Sequence, residues 1–459
     1  MTPPKRQLGL GITAAIVVAN MIGTGVFTST GYQAHDLHDP MTILIAWVIG
    51  GVIALCGAAC YAELGTLMPK AGGEYVYLRE AYHPALGFMS GWVSLTAGFS
   101  AAIATSSLLF AKYLGTLVDG VGDPTTVKLI AIGLIVAVTC LHAFDTKVGG
   151  RVQEVFTILK VLLIVVFIGA GLLVGKGDWG HFASQGGGFS NMGTMGFAIS
   201  LMYISFAYSG WNAAAYIAGE VEKPERNLPR SLLLGTGIVM ALYVLLNVVY
   251  FYALPSATLA GPTNTFAPIE EVGAAAATQL FGSSAGNLIT TLITLALVSA
   301  VSAMVMAGPR VYAAMAADRA LPHQLGWYSK RGVPTVAVVV QGALGIVGVL
   351  VGHIDWLMRF AGFTLAIFAA LTVGALFILR ARGLRGAYRT FGYPLTPLVF
   401  ILMSAWIAYA QIKQNPFECL VVAGVLLVGG LVYRFAVPPL PPPSLPTPPK
   451  LPEARVVDE

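Results

Sequence analysis

The chain has 459 residues, 56% of them hydrophobic and only 10% charged, with a mean hydropathy of +0.77. A soluble domain carries about 25% charged residues, so this composition leaves no room for one, and any function resides in a membrane-embedded helix bundle. The net charge of +5 is explained by topology rather than by a nucleic-acid partner.

Twelve apolar stretches are expected to span the membrane: 8–33, 41–67, 84–117, 127–144, 152–175, 191–218, 231–254, 284–316, 334–352, 355–379, 394–411 and 416–436. Each is near or above the roughly 20 residues that cross about 30 Å of hydrocarbon. The first follows Lys5 and Arg6 as a signal peptide would, but it is longer than a signal core and eleven more spans follow. Most of the 26 Lys and Arg residues fall in the termini and in alternate loops. Lys112, Lys128, Lys176, Arg359 and Lys413 fall on the other side, and Lys160 within a span. This asymmetry predicts a multi-pass protein of the cell (inner) membrane with both termini in the cytoplasm. Cys56, Cys60, Cys140 and Cys419 lie in or near spans, so no disulfide framework is indicated. Cys56 and Cys60 are one helical turn apart, but no His or carboxylate of suitable spacing accompanies them, and no metal or cofactor is expected.

Span one contains N-M-I-G-T-G-V-F, residues 20–27. Gly23 and Gly25 flank Thr24, and glycine is a weak helix former, so the helix has reason to open here. Backbone freed at membrane depth needs partners, which makes a break a candidate ligand site; a glycine-rich packing face is the alternative. Span two runs into a charged stretch, residues 61–82, with Glu63, Lys70, Glu74, Arg79 and Glu80. It reads either as a loop packed under the bundle to help gate it or as a solvated hairpin. Glu63, inside the last turns of the span, is placed to titrate or to pair with a loop cation.

Span five carries Lys160, nine residues beyond Arg151, or about 13 Å deeper along a helix axis. Such a lysine costs about 2.5–3.5 kcal/mol against lipid and is expected to face the interior. Three roles are open: donating to the carbonyls freed in span one, releasing its proton to couple transport to H+, or a structural pairing. Span six holds F-A-Y-S-G-W-N, residues 206–212, where Ser209 and Gly210 weaken the helix ahead of a short helix over 213–219. The interrupted spans are the first members of two five-span halves, 8–175 and 191–379, and paired interruptions are the sequence pointer to a midplane substrate site. Spans 394–436 are additional. Residues 219–230 read as a charged cytoplasmic connector closed by Pro224 and Pro229. Trp356, Phe360 and Phe363 in span ten read as packing aromatics rather than cavity walls. The transmembrane domain is bounded at 1–436, and the tail, 437–459, is proline-rich and expected to be disordered.

Taken in order, N-M-I-G-T-G-V-F, P-K-A-G-G-E-Y-V-Y-L-R-E, F-A-Y-S-G-W-N with E-V-E-K-P-E-R-N-L-P-R, and G-P-R-V-Y-A-A-M-A-A-D-R-A-L-P resemble the amino acid-polyamine-organocation superfamily of permeases over residues 8–436. F-A-Y-S-G-W-N is similar to the L-type amino acid transporter branch and its bacterial relatives. The resemblance implies an all-α, twelve-helix, five-plus-five inverted repeat (LeuT-like) with helices one and six broken, working by alternating access. It implies a substrate site at Met21, Gly23, Thr24, Gly25, Phe206, Ala207, Ser209 and Asn212. The α-carboxylate would rest on amides around Thr24 and Gly25, which open a helix. The α-ammonium would meet the carbonyls of Met21, Phe206 and Ser209, with Phe206 as a gate and Asn212 near the substrate side chain. Lys160 matches the lysine that replaces a sodium site in the family, so sodium dependence is not expected. Ser209 stands where many relatives carry glycine. The loop at 119–126 lacks the cysteine by which some members bind a heavy chain, so no such partner is expected.

The leading expectation is a secondary transporter of neutral α-amino acids, an exchanger or a proton symporter. No acidic residue adjoins either break in sequence, which disfavours a cationic substrate. Cationic amino acids or polyamines are the runner-up, followed by a non-transporting sensor or a channel. An intramembrane enzyme is disfavoured because all seven His residues fall at span ends or in loops.

Overall fold

The computed structural model describes residues 6, 8–69, 72–144, 146–183, 188–262, 265–329 and 332–438. Lys70, Lys330, Arg331 and the tail beyond 438 lie outside these, as do the side chains over 144–154, Lys147 and Arg151 included.

The first crossing is made by α1 (Leu10–Met21) and α2 (Gly25–Leu37), bent by 43° across Ile22, Gly23 and Thr24. The second is α3 (Pro40–Leu67), begun by the Asp39 carboxylate, which accepts the Thr42 N–H at 2.9 Å, and by Pro40, whose missing N–H is no loss in a first turn. The short α4 (Glu74–Ala81) follows without crossing. The third crossing joins α5 (Pro84–Val93) to α6 (Ala102–Gly115) through a π-helical stretch, Ser94–Ala101, where the Ser100 hydroxyl donates to the Leu95 carbonyl at 2.6 Å. Next come α7 (Pro124–Phe144) and α8 (Thr146–Leu173). Five crossings deliver the chain to the opposite face, so the second five run in the inverted sense.

That second set is α9 (Met195–Tyr208) with α10 (Ala213–Tyr216), then α11 (Pro224–Ala253), the short α12 (Ser256–Ala260), α13 (Val272–Ala317), α14 (Thr335–Val351) and α15 (Ile354–Ala381). The final pair is α16 (Leu395–Gln414) and α17 (Pro416–Ala436). Among the described residues nine helices are long and apolar enough to cross a membrane; the bent pair and two shorter apolar helices, α9 and α14, bring this to the twelve crossings expected. Two local readings change. The helix expected over 213–219 is a single turn followed by a 3-10 turn at Ala218–Glu220. The eighth crossing is preceded by a helical arm, 272–281, folded back at Gly282, whose φ of 79° only glycine adopts without strain.

The aromatics of span ten pack as the sequence suggests. Trp356 and Phe360 stack with centroids 5.4 Å apart, and Phe360 and Phe363 are buried. The charged stretch after α3 is not a solvated hairpin. Tyr75, Val76, Tyr77 and Leu78 are buried, and Glu74 and Glu80 are turned inward with them. Arg79 ties α4 to Asp318 at the end of α13, at 2.6 Å.

Glu63 finds a cation, but from α15 rather than from its own loop: Arg380 donates from Nε at 2.9 Å and from Nη2 at 2.5 Å, and the Thr390 N–H adds 2.7 Å. Glu63 is 1% exposed, so these donors stand in for the water its carboxyl would otherwise bind. Removing one partner of a buried pair costs about 3–5 kcal/mol. E63A is therefore expected to lower the thermal unfolding midpoint in detergent well below that of the native protein, whereas an unshifted midpoint would show the pair to be dispensable.

Candidate functional site

Both breaks are formed where the sequence places glycine beside a polar residue, and they meet in space. A Cβ built on Gly25 would lie 2.4 Å from the Ala207 Cα, and one on Gly210, at φ 96°, would lie 2.7 Å from the Asn20 carbonyl oxygen. Neither glycine admits a side chain without separating the two helices. Main-chain groups of spans one and six thus touch at the centre of the bundle.

The carbonyls freed by the first break are taken up by two side chains, and a third contact holds the break against α6. Lys160 of α8, 1% exposed, donates to the Ala19 carbonyl at 2.5 Å and to the Ile22 carbonyl at 2.8 Å. Tyr243 of α11 donates to the Met21 carbonyl at 2.6 Å. The Thr24 hydroxyl shares a short hydrogen bond with Ser106 of α6. At the second break the Phe206 carbonyl accepts the Ser209 N–H at 3.0 Å.

A cavity of about 1060 Å³ extends from the breaks to the face where the chain begins. Asn20, Ser209, Gly210, Trp211 and Asn212 line its inner end, and Leu8, Glu220 and Tyr328 lie along it toward the N-terminal face. Of the residues expected at a substrate site, Ser209 and Asn212 line this cavity, whereas Met21, Gly23, Thr24, Gly25, Phe206 and Ala207 do not. Thr24, Gly25 and Ala207 lie just past its inner end, in the seam where the two spans press together. Toward the opposite face the bundle is closed. Tyr113 donates to the Phe27 carbonyl and accepts the Gly273 N–H, both at 3.0 Å, Thr30 donates to Asn247 at 2.6 Å, and Glu270 receives Tyr32 at 2.9 Å and pairs with Lys112.

One acidic residue does adjoin a break, contrary to the reading of the sequence. Glu74, the first residue of α4, lines the cavity and accepts the Tyr61 hydroxyl at 2.6 Å and the Asn212 Nδ2 at 2.9 Å. Burial pushes its carboxyl above the ordinary carboxylate range, and the donations from Tyr61, Asn212 and Ser90 oppose that rise. Glu74 is 138 positions from Asn212, so linear proximity gave no hint of the contact. The available signal was the alternation of tyrosines and aliphatics with charges in E-Y-V-Y-L-R-E, which marks a buried segment rather than a solvated loop. Tyr243 and Ser106 were missed for a related reason: a lone hydroxyl in an apolar span says nothing about which helix it faces.

The model of the family described as amino acid permease matches residues 8–452. The chain belongs to that family. The permease is 32% identical over 434 residues to the serine/threonine exchanger SteT of Bacillus subtilis, covering 94% of this chain and 96% of that one. It is 28% identical to the b(0,+)-type amino acid transporter 1 of Mus musculus, covering 95% and 88% of the two chains, and 26% identical to the mouse large neutral amino acids transporter small subunit 2, covering 94% and 81%. The permease is thus a multi-pass membrane protein that transports amino acids, and not an enzyme. Replacing Gly25 by Val puts branched carbons where the Ala207 backbone sits. G25V is expected to abolish substrate-induced thermal stabilisation of the purified protein; full stabilisation would place the substrate elsewhere.

Proposed function

We propose that the permease exchanges neutral α-amino acids across the cell membrane by alternating access, with its N-terminal face in the cytoplasm. The observation that carries this reading is the meeting of the two breaks at the head of a cavity open to one face only. The α-carboxylate is taken by the amides at the start of α2, around Thr24 and Gly25, where a helix N-terminus favours an anion. The α-ammonium is taken by carbonyls at the two breaks, those of Met21, Phe206 and Ser209, and Phe206 closes over the substrate. Separation of the Gly25–Ala207 seam admits the substrate. The concentration of Lys and Arg in the termini and alternate loops supports the orientation.

Lys160 donates hydrogen bonds to two carbonyls of span one that a cation would otherwise coordinate. A fixed ammonium needs no sodium ion, which supports transport independent of a sodium gradient. Neutral substrates are favoured because the side chains of Asn20, Ser209 and Asn212 at the inner end of the cavity are polar and uncharged. Glu74 is the specific observation that supports a second reading, a cationic substrate, since its carboxylate lies directly behind the Asn212 amide. The loop between spans three and four has no cysteine, so the permease works without a disulfide-linked partner.

Proteoliposomes loaded with single unlabelled amino acids test this. Labelled neutral substrate is expected to enter only when the lumen holds a neutral amino acid, at a rate unaffected by removing sodium or a pH gradient. Entry into empty vesicles driven by a pH gradient would instead assign proton symport, and trans-stimulation by lysine or arginine alone would assign the cationic reading. K160A is expected to lower exchange at least tenfold while the protein still elutes as a folded species. Normal exchange by K160A would remove the lysine from the mechanism.

A further inference from the structure

Asn212 stands at the N-cap of α10 and does not cap it. Asparagine at that position ordinarily turns its side-chain oxygen back onto the helix amides. Here the carboxamide is turned the other way, with Nδ2 donating to Glu74 Oε1 at 2.9 Å and to the Tyr216 hydroxyl at 3.3 Å. Both N–H groups are thereby committed. Oδ1 has no partner among the described residues, and Asn212 lines the cavity.

The orientation follows from chemistry. Glu74 is 5% exposed, and its Oε1 receives two donors at once, the Tyr61 hydroxyl and the Asn212 amide. The oxygens of an ionised carboxylate only accept, so it is the NH2 end of Asn212 that faces Glu74. A flip of the carboxamide would set two oxygens against each other in a buried site and leave the NH2 end unpaired. The segment that holds Glu74 is itself fixed to α10. The Gly72 N–H donates to the Tyr216 carbonyl at 3.3 Å, and a Cβ on Gly73 would lie 2.6 Å from the Tyr216 ring.

We infer that Glu74 is a positioning residue that holds the Asn212 carboxamide with its oxygen toward the substrate side chain, selecting amino acids whose side chain carries a hydrogen-bond donor. Small hydroxyl or amide side chains satisfy that oxygen, whereas an apolar isostere leaves it without a partner once water is displaced. Glu74 itself touches no substrate. The inference rests on the proposed amino acid site between the two breaks and adds to it the chemical class of the side chain.

Threonine and valine are near-isosteres that differ in this donor. Inhibition of labelled alanine exchange in proteoliposomes is expected to show threonine about five- to tenfold stronger than valine in the native permease, the worth of one hydrogen bond in a site built to receive it. In E74Q the new side chain can offer its own NH2 to Asn212 and allow the flip. The threonine preference then persists, because a hydroxyl also accepts, but O-methylserine, whose ether oxygen only accepts, is expected to gain about five- to tenfold over its near-isostere norvaline, a preference absent from the native permease and one that a general loss of packing would not produce. O-methylserine equal to norvaline in E74Q, or already preferred in the native permease, overturns the inference. Should E74Q yield no folded protein, stabilisation of purified N212L by threonine and valine is measured instead; equal stabilisation supports the assignment and retained threonine preference overturns it. Native permease that exchanges amino acids without preferring threonine overturns this inference alone. Native permease that exchanges none overturns the reading on which it rests.

Discussion

A peptide group released from a helix inside hydrocarbon must find a partner within the protein, and the centre of this permease is arranged around that requirement. At the first break the carbonyls of Ala19, Met21 and Ile22 are met by one ammonium and one phenol, from α8 and α11. Each carbonyl left unmet would cost several kcal/mol in that environment. The break is therefore a junction of several helices rather than a local accident of two glycines. It accounts for a lysine in span five that the apolar sequence around it would otherwise forbid.

The same requirement links span one to span six. Contact through Gly25, Ala207, Gly210 and Asn20 brings main chain against main chain, a packing that only small residues permit. Thr24 is held by Ser106 of α6, just beyond the π-helical stretch whose Ser94, Gly98 and Phe99 line the cavity. Three crossings thus depart from regular helix or bear on such a departure. The regular helices around them, with outward-facing side chains such as Leu173 and Phe435, present apolar surface suited to lipid.

The spans, the two breaks and the interior lysine were legible in the sequence because each is a local signal: length and hydropathy, glycine beside a polar residue, one charge in an apolar run. Pairings between distant segments were not. The sequence points Glu63 toward the cations of its own loop, yet its partner Arg380 is 317 positions away. Glu74 looks like a loop charge because the sequence does not show that α4 is buried against the bundle. The fold at Gly282 was missed because a glycine in an apolar stretch serves equally for packing or for a reversal, and only its dihedral angles decide.

Apart from the charged Lys112–Glu270 pair, which also receives Tyr32, the closure on the side away from the cavity is made of neutral hydrogen bonds: Tyr113 to Phe27 and Gly273, and Thr30 to Asn247. Water can replace each of these when the helices part, so the net loss is about 0.5–1.5 kcal/mol apiece rather than the full strength of a buried bond. A seal of hydroxyls behaves as a zipper that moisture loosens tooth by tooth. Opening that face therefore costs each such bond only its small net worth.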